Sequence, residues 1–311
     1  MTTPDPIRSA AVLGAGTMGA QIAAQLANAL ALASLLTILA SGPAVDSTGM
    51  LTIRAVKAYY DGALGSRGAR LLADYSDRPG HRGISGAGYG FDQALVAQMM
   101  KAGWQVGIHA IGDAGNREAL DFLDRVAAET PATRAGRQRI EHAQVIDPAD
   151  IQRFVASGVI ASMEPPHAVE DMAWAEARLG PERIRGAYAW RTLRRAGVPL
   201  IFNSDLPGSD WNLFYGLHAA VTRRDKAQLP AAGWKPDQRL EVEEALRAYS
   251  TWAAWASFTE KDTGVIAIGR WADLTAIDLD PFHAADTDPG RLLGGRVVLT
   301  VVAGQVVYRR E

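Results

Sequence analysis

The sequence has no cysteine among its 311 residues, so disulfides, thiolate nucleophiles, iron–sulfur clusters and cysteine-ligated structural zinc are excluded. Any metal must use His, Asp, Glu or a modified Lys. Charge of one sign is also lacking: 32 Lys and Arg stand against 34 Asp and Glu, with no basic stripe interleaved with aromatics. A nucleic-acid partner is therefore not expected. The eight tryptophans, including 174, 190, 252 and 255 in helical stretches, read as core rather than as a stacking surface. Between Arg8 and Asp46 there is no charge at all, and Leu30 to Ala40 is apolar apart from Ser34 and Thr37. This stretch reads as a buried helix and strand of a cytoplasmic protein with no membrane partner; the alternative is an exported chain in which residues 30–45 act as a signal segment.

What is present is a globular composition, 48% hydrophobic and 21% charged. At this length the chain can form one large α/β barrel or two ordinary domains.

Near the start, SAAVLGAGTMGAQIAAQLANAL reads as strand, glycine-rich turn and Ala-rich helix. Gly14, Gly16 and Gly19 form a GxGxxG that can present helix N-terminal amides to a pyrophosphate. The acidic residue that should follow about 20 positions on to bind ribose is missing. The next acid, Asp46, lies 46 − 14 = 32 residues beyond Gly14. The plainer reading is that the glycines let a helix pack closely on a strand. The segment IRSAAVLGAGTMGAQIAAQLANA resembles the opening of the NAD-binding domain of 3-hydroxyacyl-CoA dehydrogenases. That resemblance implies NAD as cofactor and an oxidoreductase as the alternative function.

Farther along, one unit recurs: an amphipathic helix, a C-terminal glycine, and a short apolar strand ending in polar residues. FDQALVAQMMKAG precedes WQVGIHAIGD, PADIQRFVASG precedes VIASMEPPH, and AWRTLRRAG precedes VPLIFNSD, with Gly103, Gly158 and Gly197 as helix stops. RQRIEHAQVI closes on His142 in the same way, and Asp147 and Pro148 then supply an N-cap and first helical position. The strands read as apolar on both faces, as a parallel sheet covered by helices requires. Polar residues falling repeatedly at strand C-terminal ends favour a barrel. From Gly264 onward, Val-rich runs broken by Gly and Asp predict a β-rich module, with PFHAADTDPGRLLG as the loop between its halves.

Lys57, His109, His142 and Asp205 lie on or just beyond strand ends, where a barrel would gather them at one mouth. Imidazoles and carboxylates suit Zn²⁺ or a similar divalent ion, whose bound water can attack an amide or ester carbonyl. Asp205 is placed to orient that water and carry its proton to the leaving nitrogen. Each has a duller reading: strand-end histidines are often hydrogen-bonded structural residues, lysines often extend to solvent, and Asp205 could simply form its turn. His81, His218 and His283 lack a strand-end setting and read as surface or packing residues.

These residues carry a second, broader resemblance. AVKAYYDGALGSRGARLLADYSDRPGHRG, GWQVGIHAIGDAGNREALDFLDRV, RIEHAQVIDPADIQRF, MEPPHAVEDMAWAEARLGPERIRGAYAWRTL and GVIAIGRWADLTAIDLDPF together resemble the amidohydrolase family 3 branch of the metal-dependent amidohydrolase superfamily, over about residues 49–308. The resemblance implies an α/β fold with an incomplete (β/α)8 TIM-type barrel, strands 4–8, in residues 49–263; the β-rich module read above then occupies 264–311, and the N-terminal segment, 1–48, is expected to be a Rossmann-like βαβ segment. The resemblance also implies His109, His142 and Asp205 as metal positions and Lys57, when carboxylated, as a metal bridge. His167, followed four residues on by Asp171, is expected to touch substrate, as are Asp61 and Arg67 on the loop beside the metal.

The His-x-His pair of such enzymes is absent, since no two of the six histidines, at 81, 109, 142, 167, 218 and 283, are two apart. Carboxylated Lys57, His109 and His142 could still give one ion three ligands and an open position. The expected function is hydrolysis of C–N bonds in a small-molecule amide, formamide or cyclic amide. A third reading is a non-catalytic fragment that self-associates through uncovered barrel edges.

Overall fold

The computed structural model describes residues 40–311; residues 1–39 of the expected βαβ segment, with Gly14, Gly16 and Gly19, lie outside them. Its centre is a parallel five-stranded sheet formed by β3 (Ala55–Tyr59), β4 (Gln105–Ala110), β5 (Arg139–His142), β6 (Ile160–Met163) and β7 (Leu200–Phe202), paired in sequence order. Ahead of it, β1 (Ala44–Val45) and β2 (Thr52–Ile53) form a small antiparallel hairpin.

The recurring unit is realised. Helices α1 (Gln93–Lys101), α2 (Asp113–Glu129), α3 (Ile151–Ser157), α4 (Pro165–Asp171), α5 (Ala175–Arg183) and α6 (Trp190–Ala196) connect the strands. Gly103, Gly158 and Gly197 have φ of 90°, 64° and 92°, the left-handed conformation that ends a helix. Asp147 accepts from Ala149 N at 2.9 Å and starts the turn that leads into α3.

One expectation about the strands needs correcting. Val106, Ile108, Ala110, Ile140, Ala161, Met163, Leu200 and Phe202 join the main core with the helices, so that side of the sheet is apolar. On the alternate positions, Gln105, His109, Arg139, Glu141 and Ser162 are all buried and polar. Burial on both sides hides the strands without making both sides apolar, because ion pairs and hydrogen bonds satisfy the inner groups. Arg139 donates to Glu141 at 2.8 Å and also to the Gln105 side chain. Gly107 leaves the space: a Cβ there would stand 2.4 Å from Glu141 Oε1.

Beyond β7 run α7 (Leu213–Thr222), α8 (Val242–Tyr249) and α9 (Thr251–Ala256), the last two separated at Ser250. The C-terminal residues form an antiparallel sheet of β8 (Leu274–Ile277), β9 (Val297–Val302) and β10 (Gln305–Arg309), with β9 in the middle. The stretch predicted as a loop contains a helix, α10 (Pro281–Thr287), where Asp280 caps Phe282 N and His283 N and Pro281 occupies the first turn. Among the described residues no helix is long and apolar enough to cross a membrane.

Candidate functional site

The C-terminal ends of the parallel strands are fixed by side chains that bind backbone. Asp61, just after β3, accepts from Ile111 N at 2.9 Å, Gly112 N at 2.9 Å and Arg70 N at 2.8 Å. Asn116 on α2 donates to Ala110 O, Gly112 O and Val145 O, tying the end of β4 to the segment after β5.

His109 stands opposite Tyr59 in the register of β3 and β4, and its ring lies 5.2 Å from that of Tyr59. Ala110 pairs with His142 on β5. His142 follows Ile140 by two, a spacing that in a regular strand returns a side chain to the helix side. Its φ of 73° breaks that alternation at the strand end. Its ring packs edge-on to His109 with centroids 4.4 Å apart, and lies nearly parallel to His167 at 5.8 Å.

Glu164, the residue after β6, is buried and links two of these rings. Its Oε2 lies 3.0 Å from His142 Nδ1 and 3.4 Å from His167 Nδ1, while Oε1 accepts from Asn203 Nδ2 at 2.8 Å. His167 comes from the first turn of α4, three residues on, so a short helix starting at Pro165 turns it back over Glu164.

After β7, Asn203 Oδ1 accepts from Asp205 N at 2.8 Å and Asp205 takes φ 51°. A Cβ at Gly208 would lie 2.7 Å from Asp205 Oδ2, so glycine clears the room that this carboxylate occupies. Asp205 Oδ2 lies 3.8 Å from His167 Nε2. Left-handed non-glycine residues cost about 1–3 kcal/mol and concentrate where surrounding structure imposes them for a site.

The donor atoms of His142, His167 and Asp205 all lie within 4.8 Å of one another. Two imidazole nitrogens and a carboxylate oxygen are the donor chemistry of a catalytic zinc site with an open position. Burial, reinforced by the Lys57 charge, pushes His142 down to about 3. Burial also pushes His167 down to about 4, against the pull of Glu164. Both rings are therefore neutral at pH 7, the form that binds metal. Burial raises Glu164 to about 7. The residues present fit a divalent ion.

The other expected positions have settings of their own. His109 is adjacent, but its Nε2, which has no hydrogen-bond partner, faces Asp61 Oδ1 at 3.6 Å. Lys57 Nζ lies 5.4 Å from the Tyr59 ring centroid, near enough to the buried acids for its charge to help hold Glu141 low. Asp61 is wholly buried and spends both oxygens on backbone amides. Arg67 pairs with Asp77 at 2.8 Å. Asp171 accepts from Tyr188 Oη at 2.6 Å and Gln144 Nε2 at 3.2 Å. Sequence reasoning missed Glu164, Glu141, Asn203 and Tyr188. The first two had a signal, since Glu164 ends a predicted strand and Glu141 precedes a candidate ligand.

The amidohydrolase family model matches residues 15–308. YtcJ of Bacillus subtilis (strain 168), assigned by name to the amidohydrolases, is 31% identical over 87% of this chain and 49% of its own length. The N-substituted formamide deformylase of Arthrobacter pascens is 28% identical over 70% of this chain and 39% of its own. Among solved structures, an uncharacterized metal-dependent hydrolase from Pyrococcus horikoshii OT3 superposes with a TM-score of 0.69 at 28% identity, covering 80% of this chain and 49% of that one. The chain thus spans about half the length of the curated relatives it matches. The dehydrogenase resemblance of the first thirty residues finds no support in these matches, and the family model itself begins within that segment. Strand order, the cluster at the strand ends and the match over residues 15–308 agree: the chain belongs to the amidohydrolase family, with its TIM-barrel-like α/β fold.

Proposed function

We propose that this protein hydrolyses C–N bonds other than peptide bonds in small amides, formamides or cyclic amides, using a divalent metal ion of which zinc is the first choice. The observation that carries the reading is the convergence of His142, His167 and Asp205 at the C-terminal ends of consecutive parallel strands. A divalent ion bound there supplies Lewis acidity and an acidified water.

The chain's own residues supply the rest. Asp205 orients the attacking water, takes its proton and delivers it to the leaving nitrogen. His109, with its ring against His142, limits where that ring can tilt. The half-buried Tyr59 ring, stacked towards Tyr89 at 6.2 Å, offers an apolar wall beside the cluster for the substrate's N-substituent. The formamide choice is supported by the Arthrobacter pascens relative, whose name specifies N-substituted formamides.

The test uses a substrate panel, reading release of formate and amine from N-substituted formamides and ring opening to the amino carboxylate from cyclic amides, with protein stripped by chelator and reloaded with Zn²⁺, Mn²⁺ or Co²⁺. Turnover that disappears on stripping and returns on reloading supports the reading. Protein that takes up metal and hydrolyses none of the panel overturns the substrate class, and protein that takes up no metal overturns the reading as a whole.

A further inference from the structure

Glu164 is more than a neighbour of the cluster. One of its oxygens serves two imidazoles, at 3.0 Å from His142 Nδ1 and 3.4 Å from His167 Nδ1, and the other is held by Asn203 Nδ2 at 2.8 Å. Asn203 also donates to Ser162 Oγ at 3.0 Å, so the carboxylate is anchored from β6 and from the residue after β7 together. With both Nδ1 atoms turned to this carboxylate, Nε2 of each ring is the nitrogen left for a ligand. For His167 that nitrogen is the one 3.8 Å from Asp205 Oδ2. A carboxylate binding the far nitrogen of a metal-bound imidazole fixes both its tautomer and its tilt.

We propose that Glu164 is a positioning residue that sets two imidazoles at once, and that the site it builds holds a single ion on His142, His167 and Asp205. This deepens the metal-hydrolase reading and rests on it. Three arguments favour this set over Lys57, His109 and His142. The histidine that contributes the second nitrogen comes from α4 and is already tied to Glu164. The Nε2 of His109 is turned to Asp61. Lys57 Nζ is placed over the Tyr59 ring, 5.4 Å from its centroid, rather than against either of the rings tied to Glu164.

The full chain is stripped, loaded with Co²⁺ or Zn²⁺, desalted, and read by elemental analysis, by competition with a chromophoric chelator and by the visible spectrum of the Co²⁺ form. The expected result is one ion per wild-type chain. E164Q cannot satisfy both rings and Asn203, because one face of its amide is a donor wherever it points, so affinity should fall about 10–100-fold with a changed Co²⁺ spectrum. E164D, which keeps the charge, should recover part of that loss. H167Q should lose the ion, and K57Q should retain it with the wild-type spectrum. Circular dichroism melts of the metal-free variants show whether they fold; for any E164Q protein that does not, H167Q and K57Q decide the matter. Two ions per wild-type chain, loss of the ion in K57Q, or retention of wild-type affinity in H167Q would each overturn the single-ion assignment while leaving a metal hydrolase standing. No uptake by wild-type protein would sink both readings.

Discussion

His109 Nε2 faces Asp61 Oδ1 at 3.6 Å, yet that oxygen already accepts the Ile111 amide and its twin accepts two more. Asp61 is thus a brace joining the segment after β3 to the start of α2. Replacing it by Asn should leave at least one buried N–H facing another donor, at about 1–3 kcal/mol for each amide left unmatched. Thermal denaturation of metal-free D61N should show a midpoint several degrees lower. An unchanged midpoint would show that these amides find other partners.

The Arg139–Glu141 pair sets a pH dependence of stability. Burial alone would raise Glu141, but the charges of Arg139 and Lys57 outweigh it and hold the group at about 2, against an ordinary 4.5. A depressed carboxyl stabilises the fold above its unfolded value, and that contribution declines as pH falls from 4.5 towards 2. Urea midpoints should drop between pH 5 and pH 3. E141Q should be less stable at pH 7, because Arg139 is left buried without its partner, and should show a flatter acid profile.

Gly107 is the space into which that pair fits. G107A should cost about 1–3 kcal/mol by overpacking, since the new carbon would sit 2.4 Å from Glu141 Oε1. The double variant G107A/E141A should regain part of the loss. Simple additivity in urea melts would mean the two positions do not meet.

Tyr188 controls α4 from outside the cluster. Its hydroxyl donates to Asp171 and accepts from Gln144, and Gln144 lies two residues after His142 while Asp171 lies four after His167. Y188F removes both bonds with little change of shape. It should raise the dissociation constant for Zn²⁺ severalfold while lowering the melting point only modestly. An equal melting shift with unchanged metal affinity would make the tie purely structural.

Much of this was legible beforehand. Gly103, Gly158 and Gly197 announced the helix ends because glycine takes positive φ at least cost. His109, His142 and Asp205 announced themselves as polar groups closing apolar strands. Glu164 did not, because its importance lies in reaching two rings from different elements, a relation with no fixed spacing along the chain. The polar inner face was masked for a related reason. Val106, Ile108, Ile140 and Ala161 dominate the strands' apparent character, and Arg139 beside Glu141 reads as surface charge until the partner strand with Gly107 is placed against it. The amide contacts of Asp61 were not legible, because a buried carboxylate that caps backbone amides looks, in sequence, like a loop acid.

The order β5, β6, β7 has a consequence for how such a site travels through evolution. His142, Glu164, His167 and Asp205 fall within 205 − 142 = 63 positions, at or just beyond the ends of three adjoining strands. Their mutual placement depends on two strand pairings, Arg139↔Ile160 onward and Ala161↔Leu200 onward, and on no closure between the first and last strands. Such a cluster would pass as one block: an exchange of gene segments outside residues 142–205 leaves in place the strand pairings that bring these groups together.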